Sequence, residues 1–239
     1  AAAEYARAIE ILSATLGPDH VRVAALLNNL GELHRNRGEL ELALELHERA
    51  LDVRERTLGP MHAHVADSLN NLGLIHAARG ELELARDQHR RALAIRELAL
   101  GPQHMAIAVS LNNLAEVELL RGDLDSAEAH YTQALAVMEA ALGPEHLNVS
   151  YPLHGLARVA RARGRPELAL APLERGLALR ETAGAGPADI AELRFDLARA
   201  LWDSKRDRPR ARELAQTALE EFGKGKSADE VRAWLAKHR

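Results

Sequence analysis

Apolar residues recur along this chain at intervals of three and four. Leu27, Leu30, Gly31 and His34 mark one face of a first helix, and Leu40, Ala43, Ala50 and Leu51 the inward face of a second. Between the two stands Gly38, which returns as Gly80, Gly122 and Gly164. Glycine suits the left-handed residue that ends a helix, because it has no Cβ to clash. The second helix is closed by Gly-Pro pairs at 17-18, 59-60, 101-102, 143-144 and 186-187, since proline cannot continue the hydrogen-bond ladder. These pairs lie 42, 42, 42 and 43 residues apart. A fixed period of that length predicts a stacked array of helix-turn-helix units, none of which buries its apolar face alone.

The array is predicted over residues 1–222. Residues 1–16 align with Ala43 to Leu58 as the second helix of a partial copy, and whole copies follow at 20–58, 62–100, 104–142, 146–183 and 188–222. The chain therefore opens inside a copy, which reads as the front edge of a fragment of something longer. The fourth copy drifts: His154-Gly155 replaces an Asn pair, and Pro172 lies inside its second helix, where it removes a ladder bond. Beyond Gly223 to Lys226, Ser227 with Glu230 three residues on predicts a capping box, and 227–239 a capping helix with Val231, Trp234 and Leu235 on one side. That helix is expected to cover the last apolar face beside Phe195 and Trp202.

The spacing Leu27-x2-Leu30-Gly31-x2-His34, then Ala43-x3-His47 and Ala50, resembles the tetratricopeptide repeat (TPR). The period of 42 in place of 34 gives each helix about one extra turn. LNNL at Leu27, Leu69 and Leu111, with RALAIRELALGPQH over Arg91 to His104, is similar to the long repeats of kinesin light chains and their bacterial relatives. The likeness covers Ala1 to Ala183 and departs where His34, His47, His76 and His89 stand at positions usually aromatic. It implies an all-α fold, a right-handed TPR superhelix (α-solenoid) of helix-turn-helix repeats with a C-terminal capping helix. AELRFDLARALWD, RARELAQTALEEF and EVRAWLAKH also resemble helical tails behind bacterial serine/threonine protein kinase domains, which points to a larger bacterial signalling protein.

Composition agrees with helices: Ala, Leu, Glu and Arg dominate and aromatic residues make up 3%. A formal net charge of -4 offers no field to gather nucleic acid, so none is expected as a partner. With no cysteine there is neither a disulfide framework nor a thiolate metal site, which fits the cytoplasm. No apolar run approaches a membrane span of about 18 residues. There is no phosphate loop and no His-Glu-x-x-His, so we expect no catalytic residue, no cofactor and no enzyme activity.

Three groups of residues stand out as candidates. His20, His62, His104 and His146 recur at the turns, where one imidazole per copy cannot converge on one metal ion; a turn or capping role is expected and a metal site is not. The pairs His34 with His47 and His76 with His89 fall where the two helices of a copy approach each other, and are expected to be packed and hydrogen-bonded, with a pH response as the alternative. The Asn pairs, Asn28-Asn29, Asn70-Asn71 and Asn112-Asn113, point away from the apolar axis at 100° per residue. In a TPR superhelix that side lines the concave groove. An Asn offers a donor and an acceptor, so it can grip the main chain of a bound peptide, or it can bond to the neighbouring copy and tie the stack together.

By the same register Arg35, Leu74, Val109, Leu120 and Tyr151 share that side, followed by Arg158, Arg161 and Arg199. An apolar floor with a basic end would receive an acidic-hydrophobic peptide or protein segment. The kinesin light chain resemblance implies the same use of groove Asn and Arg residues. The expected function is a non-catalytic protein-protein interaction scaffold. The alternative is a self-associating structural or regulatory module, a homodimer formed through the open N-terminal edge.

Overall fold

Side chains cap several of the helices at their starts. The imidazole Nδ1 of His20, His62, His104 and His146 accepts a hydrogen bond from the backbone N–H two residues on, at Arg22, His64, Ala106 and Asn148, each at 3.1 Å. One orphan donor of every such helix is thereby satisfied. This is the capping role expected for the turn histidines. At the other end Gly38 adopts φ +77°, and its cognates Gly80, Gly122 and Gly164 lie in the same left-handed region.

The computed structural model describes residues 1–238. They form two units, divided between Arg121 and Gly122. The first unit holds α1 (Ala2–Leu16), α2 (Val21–Asn36), α3 (Leu40–Leu58), α4 (Ala63–Ala78), α5 (Leu82–Leu100) and α6 (Met105–Arg121). The second holds α7 (Leu124–Leu142), α8 (Ser150–Ala162) after a 3-10 turn at Leu147–Val149, α9 (Pro166–Thr182), α10 (Pro187–Asp203), α11 (Arg208–Phe222) and α12 (Lys226–Lys237). Among the described residues there is no strand, and the fold is all-α.

Within the first unit the core is a series of small clusters, one per step of the stack. Val23, Ala24 and Leu27 of α2 close on Ala50 and Val53 of α3, with Ile9 and Leu12 of α1 at the border. One step on, Val65, Ala66 and Leu69 of α4 close on Ala92 and Ile95 of α5, bordered by Leu51 of α3. Each second helix thus touches its own first helix and the first helix of the next copy, which is nearest-neighbour packing. Every fully buried Val or Leu contributes about 1.5–3 kcal/mol.

In the second unit a larger cluster joins Leu173 and Leu177 of α9, Leu193, Leu197 and Leu201 of α10, three alanines of α11 and Val231 of α12. Trp234 of α12 sits edge-on to Phe195 and Trp202, with ring centroids 5.9 and 5.6 Å apart, as expected of a cap. One local expectation needs correcting. The capping box at Ser227 does not form: α12 starts at Lys226, with Gly225 at its N-cap and no side-chain cap bond. Left-handed Gly223 and Gly225 turn the chain before Ser227 is reached. Pro172 lies inside its helix as expected, and α9 runs through it.

Candidate peptide-binding face

In the first unit the Asn pairs do two things. Asn71 Nδ2 donates to Asn28 Oδ1 at 3.1 Å, and Asn113 Nδ2 donates to Asn70 Oδ1 at 3.0 Å. The second Asn of one copy bonds the first Asn of the copy before it, so the amides form rungs along α2, α4 and α6. This is the stack-tying alternative realised. The rungs leave the Oδ1 of Asn71 and of Asn113, both half-buried, with accepting capacity, while Asn29 is exposed at the near end. Asn112 Oδ1 is buried without a partner. In the sequence register the next rung would need an amide at residue 155, which is a glycine.

Beside the rungs lie apolar side chains facing solvent. Val109 is 38% and Leu120 51% exposed, eleven residues apart and therefore on one face of α6, with Asn113 and Glu116 between them. Leu74 of α4 is half-buried. Arg35 is held in a bidentate pair with Glu32 at 2.9 and 3.2 Å.

Sequence reasoning missed what anchors these helices from behind. Arg54 Nη1 donates to Ser68 Oγ at 2.7 Å and to the His64 carbonyl at 2.9 Å, and Arg96 Nη1 repeats the arrangement on Ser110 Oγ at 2.6 Å. Arg96 also reaches Asp67 at 2.9 Å. Both arginines are buried, and burial presses the Arg54 guanidinium below its ordinary pKa. The signal was available: Arg54 and Arg96 recur at the period of 42, as do Ser68 and Ser110.

The histidines within each copy do not pair with one another. His34 Nδ1 meets Glu39 Oε2 across the turn, and His76 Nδ1 meets Glu81 Oε2 at 2.6 Å. His47 and His89 are wholly buried, with no hydrogen-bond partner on either ring nitrogen. A Glu32 oxygen lies 3.7 Å from His47 Nε2. Their rings fill notches left by Gly31 and Gly73, where an added Cβ would fall 2.6 Å from the imidazole. Burial pushes both pKa values down to about 4; the nearby arginines add to the shift, and at His47 Glu32 opposes it.

In the second unit the predicted basic end is organised by a carboxylate. Asp196 Oδ2 accepts from His154 Nε2 at 2.8 Å, and its Oδ1 from Arg161 Nη1 at 2.9 Å and Arg199 Nη1 at 3.4 Å. Burial works to raise the Asp196 carboxyl, but the His154 hydrogen bond and the charges of His154, Arg161 and Arg199 outweigh it and hold the pKa low. Arg161 also reaches Asp203 at 3.7 Å and keeps only 16% of its side chain exposed. Arg199 is 40% exposed, its guanidinium 5.3 Å over the Phe195 ring. Arg158 is half-buried on α8, and Tyr151 is 48% exposed with Arg180 beneath its ring at 5.2 Å. Among the described residues no group of three His, Asp or Glu is placed to hold a metal, and no helix is long and apolar enough to cross a membrane.

A tetratricopeptide repeat family model matches residues 1–56, 22–98, 64–140 and 106–182. The chain belongs to the tetratricopeptide repeat family. Members of this TPR family are generally non-catalytic protein-interaction scaffolds. Solved TPR structures share the fold. BtubC (BKLC) from P. vanneervenii is 21% identical with a TM-score of 0.78, over 93% of this chain and 89% of that one. A putative kinesin light chain of Podosopora anserina with nearly identical TPR-like repeats is 23% identical with a TM-score of 0.69, over 85% and 96%. YrrB, a TPR protein with an unusual peptide-binding site, is 16% identical with a TM-score of 0.54, over 98% and 100%. No curated protein matches the chain.

Proposed function

We propose that the chain is a scaffold that binds an extended, acidic-hydrophobic peptide segment of a partner protein on the exposed face of its first helices. The observation that carries this reading is the juxtaposition on α6 of solvent-facing Val109 and Leu120 with the rung amide Asn113, whose oxygen retains accepting capacity. Apolar side chains of a peptide would settle on Val109, Leu120 and Leu74, while its main-chain N–H groups meet Asn71 and Asn113. The second unit, taken by itself, carries a face of its own on its first helices, with Tyr151 as an apolar contact and the half-exposed Arg199 as a donor for a carboxylate. Arg161 contributes through Asp196 by orienting that cluster. The unusual peptide-binding site of YrrB supports the mode of action.

Peptides selected from a displayed random library against the intact chain test the reading. Selected sequences should carry apolar and acidic residues and bind at least tenfold more weakly to Leu120→Asp, an already exposed position. Leu168→Asp, equally exposed on the second helix α9, should leave binding unchanged. Selection of no peptide, or equal sensitivity to both variants, contradicts it.

A further inference from the structure

The turn between α10 and α11 breaks three rules that the earlier copies keep. In those copies the turn after the first helix is made by Gly38, Gly80, Gly122 or Gly164, each in the left-handed region; in the fifth it is made by Lys205, at φ +58°. The turn itself is unchanged. Lys205 N donates to the Trp202 carbonyl at 3.0 Å and Arg206 N to that of Leu201 at 3.2 Å, as Gly38 and Glu39 do to Arg35 and His34. Lysine therefore bears the Cβ strain that glycine avoids. The second rule concerns charge: α3, α5, α7 and α9 carry Glu41, Glu83, Asp125 and Glu167 in their first turns, where a carboxylate suits the positive end of the helix dipole. No acid stands in the first turn of α11, which holds Arg208 and Arg210 instead. The third rule is pairing. The turn arginines Arg79, Arg121 and Arg163 each meet a carboxylate. Of the five cations from Lys205 to Arg212, Arg210 alone lies within ion-pair distance of one among the described residues, Glu174 at 2.8 Å.

Lys205, Arg206, Arg208 and Arg212 are all exposed. The Arg208 guanidinium lies 4.8 Å over the Trp202 ring, which Trp234 and His238 brace at 5.6 and 4.8 Å between centroids. Arg212 lines a groove of about 380 Å³ between α11 and α12, with Pro209, Glu213, Gln216 and Leu235. Five cations and one carboxylate, Asp207, thus stand between Ser204 and Arg212 in a chain whose formal net charge is -4. Cations crowded at the positive end of a helix repel one another, and a bound carboxylate relieves that repulsion. A strained lysine kept where glycine would serve marks the turn as a place of use. We infer that the turn is a docking site for an acidic stretch of a partner polypeptide, its carboxylates pairing with Lys205, Arg206, Arg208 and Arg212 and its backbone lying in the groove. A short acidic stretch fits better than a nucleic acid strand, because the rest of the chain is net acidic and repels a longer line of phosphates. None of these residues belongs to the face carrying Val109 and Leu120.

A fluorescein-labelled pentaglutamate peptide tests the assignment with the intact chain. Fluorescence anisotropy should show saturable binding, at least tenfold weaker to the double variant Arg206→Glu, Arg208→Glu. Binding should be unchanged by Lys224→Glu with Lys226→Glu, exposed cations beyond the far end of α11, and by Leu120→Asp. Trp202 and Trp234 are the two tryptophans of the chain, so a peptide that draws Arg208 off the ring should also change intrinsic emission. Lys205→Gly should melt higher than the parent, having shed the strain, yet bind at least threefold more weakly. Helicity of every variant should match the parent, the substituted positions being exposed. Absence of saturable binding, emission unchanged at saturation, or equal loss in the Lys224, Lys226 variant overturns the proposal. So does a Lys205→Gly chain that melts no higher or binds as tightly as the parent. Tighter binding of a single-stranded oligothymidylate of equal charge also overturns it, and would make nucleic acid the occupant.

Discussion

The two units seat a large residue against a small one in different ways, although one period runs through both. In the first, His47 and His89 occupy the glycine notch of their own copy, at Gly31 and Gly73. In the second, Tyr131 of α7 packs on Gly155 of α8, in the next copy and at the register of Asn71 and Asn113; the register of Gly31 and Gly73 holds Ala157 there, and the fourth copy's residue at the histidine register is Leu173. The joints differ at one step. Arg54 and Arg96 clamp a serine and a carbonyl of the following helix, the cognate in α7 is the buried Met138, and the cognate in α9 is again a buried arginine, Arg180, which donates to the Asp189 carbonyl of α10 and to Ser150 Oγ. A repeat can keep its spacing while exchanging directional polar joints for non-directional apolar ones, because stacking requires complementary volume and satisfied polar groups rather than one particular chemistry.

The largest effects should come from the notches. Gly155→Ala places a Cβ 2.3 Å from the Tyr131 ring and Gly73→Ala one 2.6 Å from His89, so each should cost about 1–3 kcal/mol in urea or thermal melts. Tyr131→Leu should relieve Gly155→Ala, while Leu173→Ala should not. Relief by Leu173→Ala instead would place the notch within its own copy and erase the contrast.

Next come the joints. Arg96→Met strands the Ser110 hydroxyl and the Asp67 pairing, and should cost about 1–3 kcal/mol. The double variant Arg96→Met, Ser110→Ala imitates an apolar joint and should recover most of the loss. A double variant as unstable as the single one would show that the clamp cannot be exchanged.

The pH response of the first unit is spread over a window instead of acting at one pH. With folded pKa values near 4 against about 6.5 unfolded, His47 and His89 stay neutral while the unfolded chain takes up protons. Stability should therefore fall as pH drops from 6.5 to 4, by up to about 1.4 kcal/mol per pH unit for each histidine, and cease to fall on their account below 4. His47→Leu with His89→Leu should flatten that window. Leu173 at the cognate position of the second unit has no such titration. A profile unchanged in the double variant would break this part of the contrast.

Much of this was legible before any coordinates, because one period written five times over fixes helix limits, turns and the capping cluster of Trp234 with Trp202 and Phe195. The turn histidines were placed by spacing alone. The site was less legible. Helical phase puts the Asn pairs on one side but cannot say whether their amides face a ligand or one another, which depends on how far neighbouring helices stand apart. Phase also gave Arg161 as a basic contact, while Asp196, one copy away, takes its guanidinium. The Arg54 and Arg96 clamps were written in the repeat and passed over, since a recurring Arg reads most readily as a solvated charge.

The central claim, that the exposed face of the first helices receives a peptide, is tested most directly by methyl NMR of the intact chain titrated with a library-selected peptide. The expected result is saturable shifts of the Val109, Leu120 and Leu74 methyls with those of Leu42, Leu84 and Leu168 unmoved. Shifts confined to Leu42, Leu84 and Leu168 would contradict it.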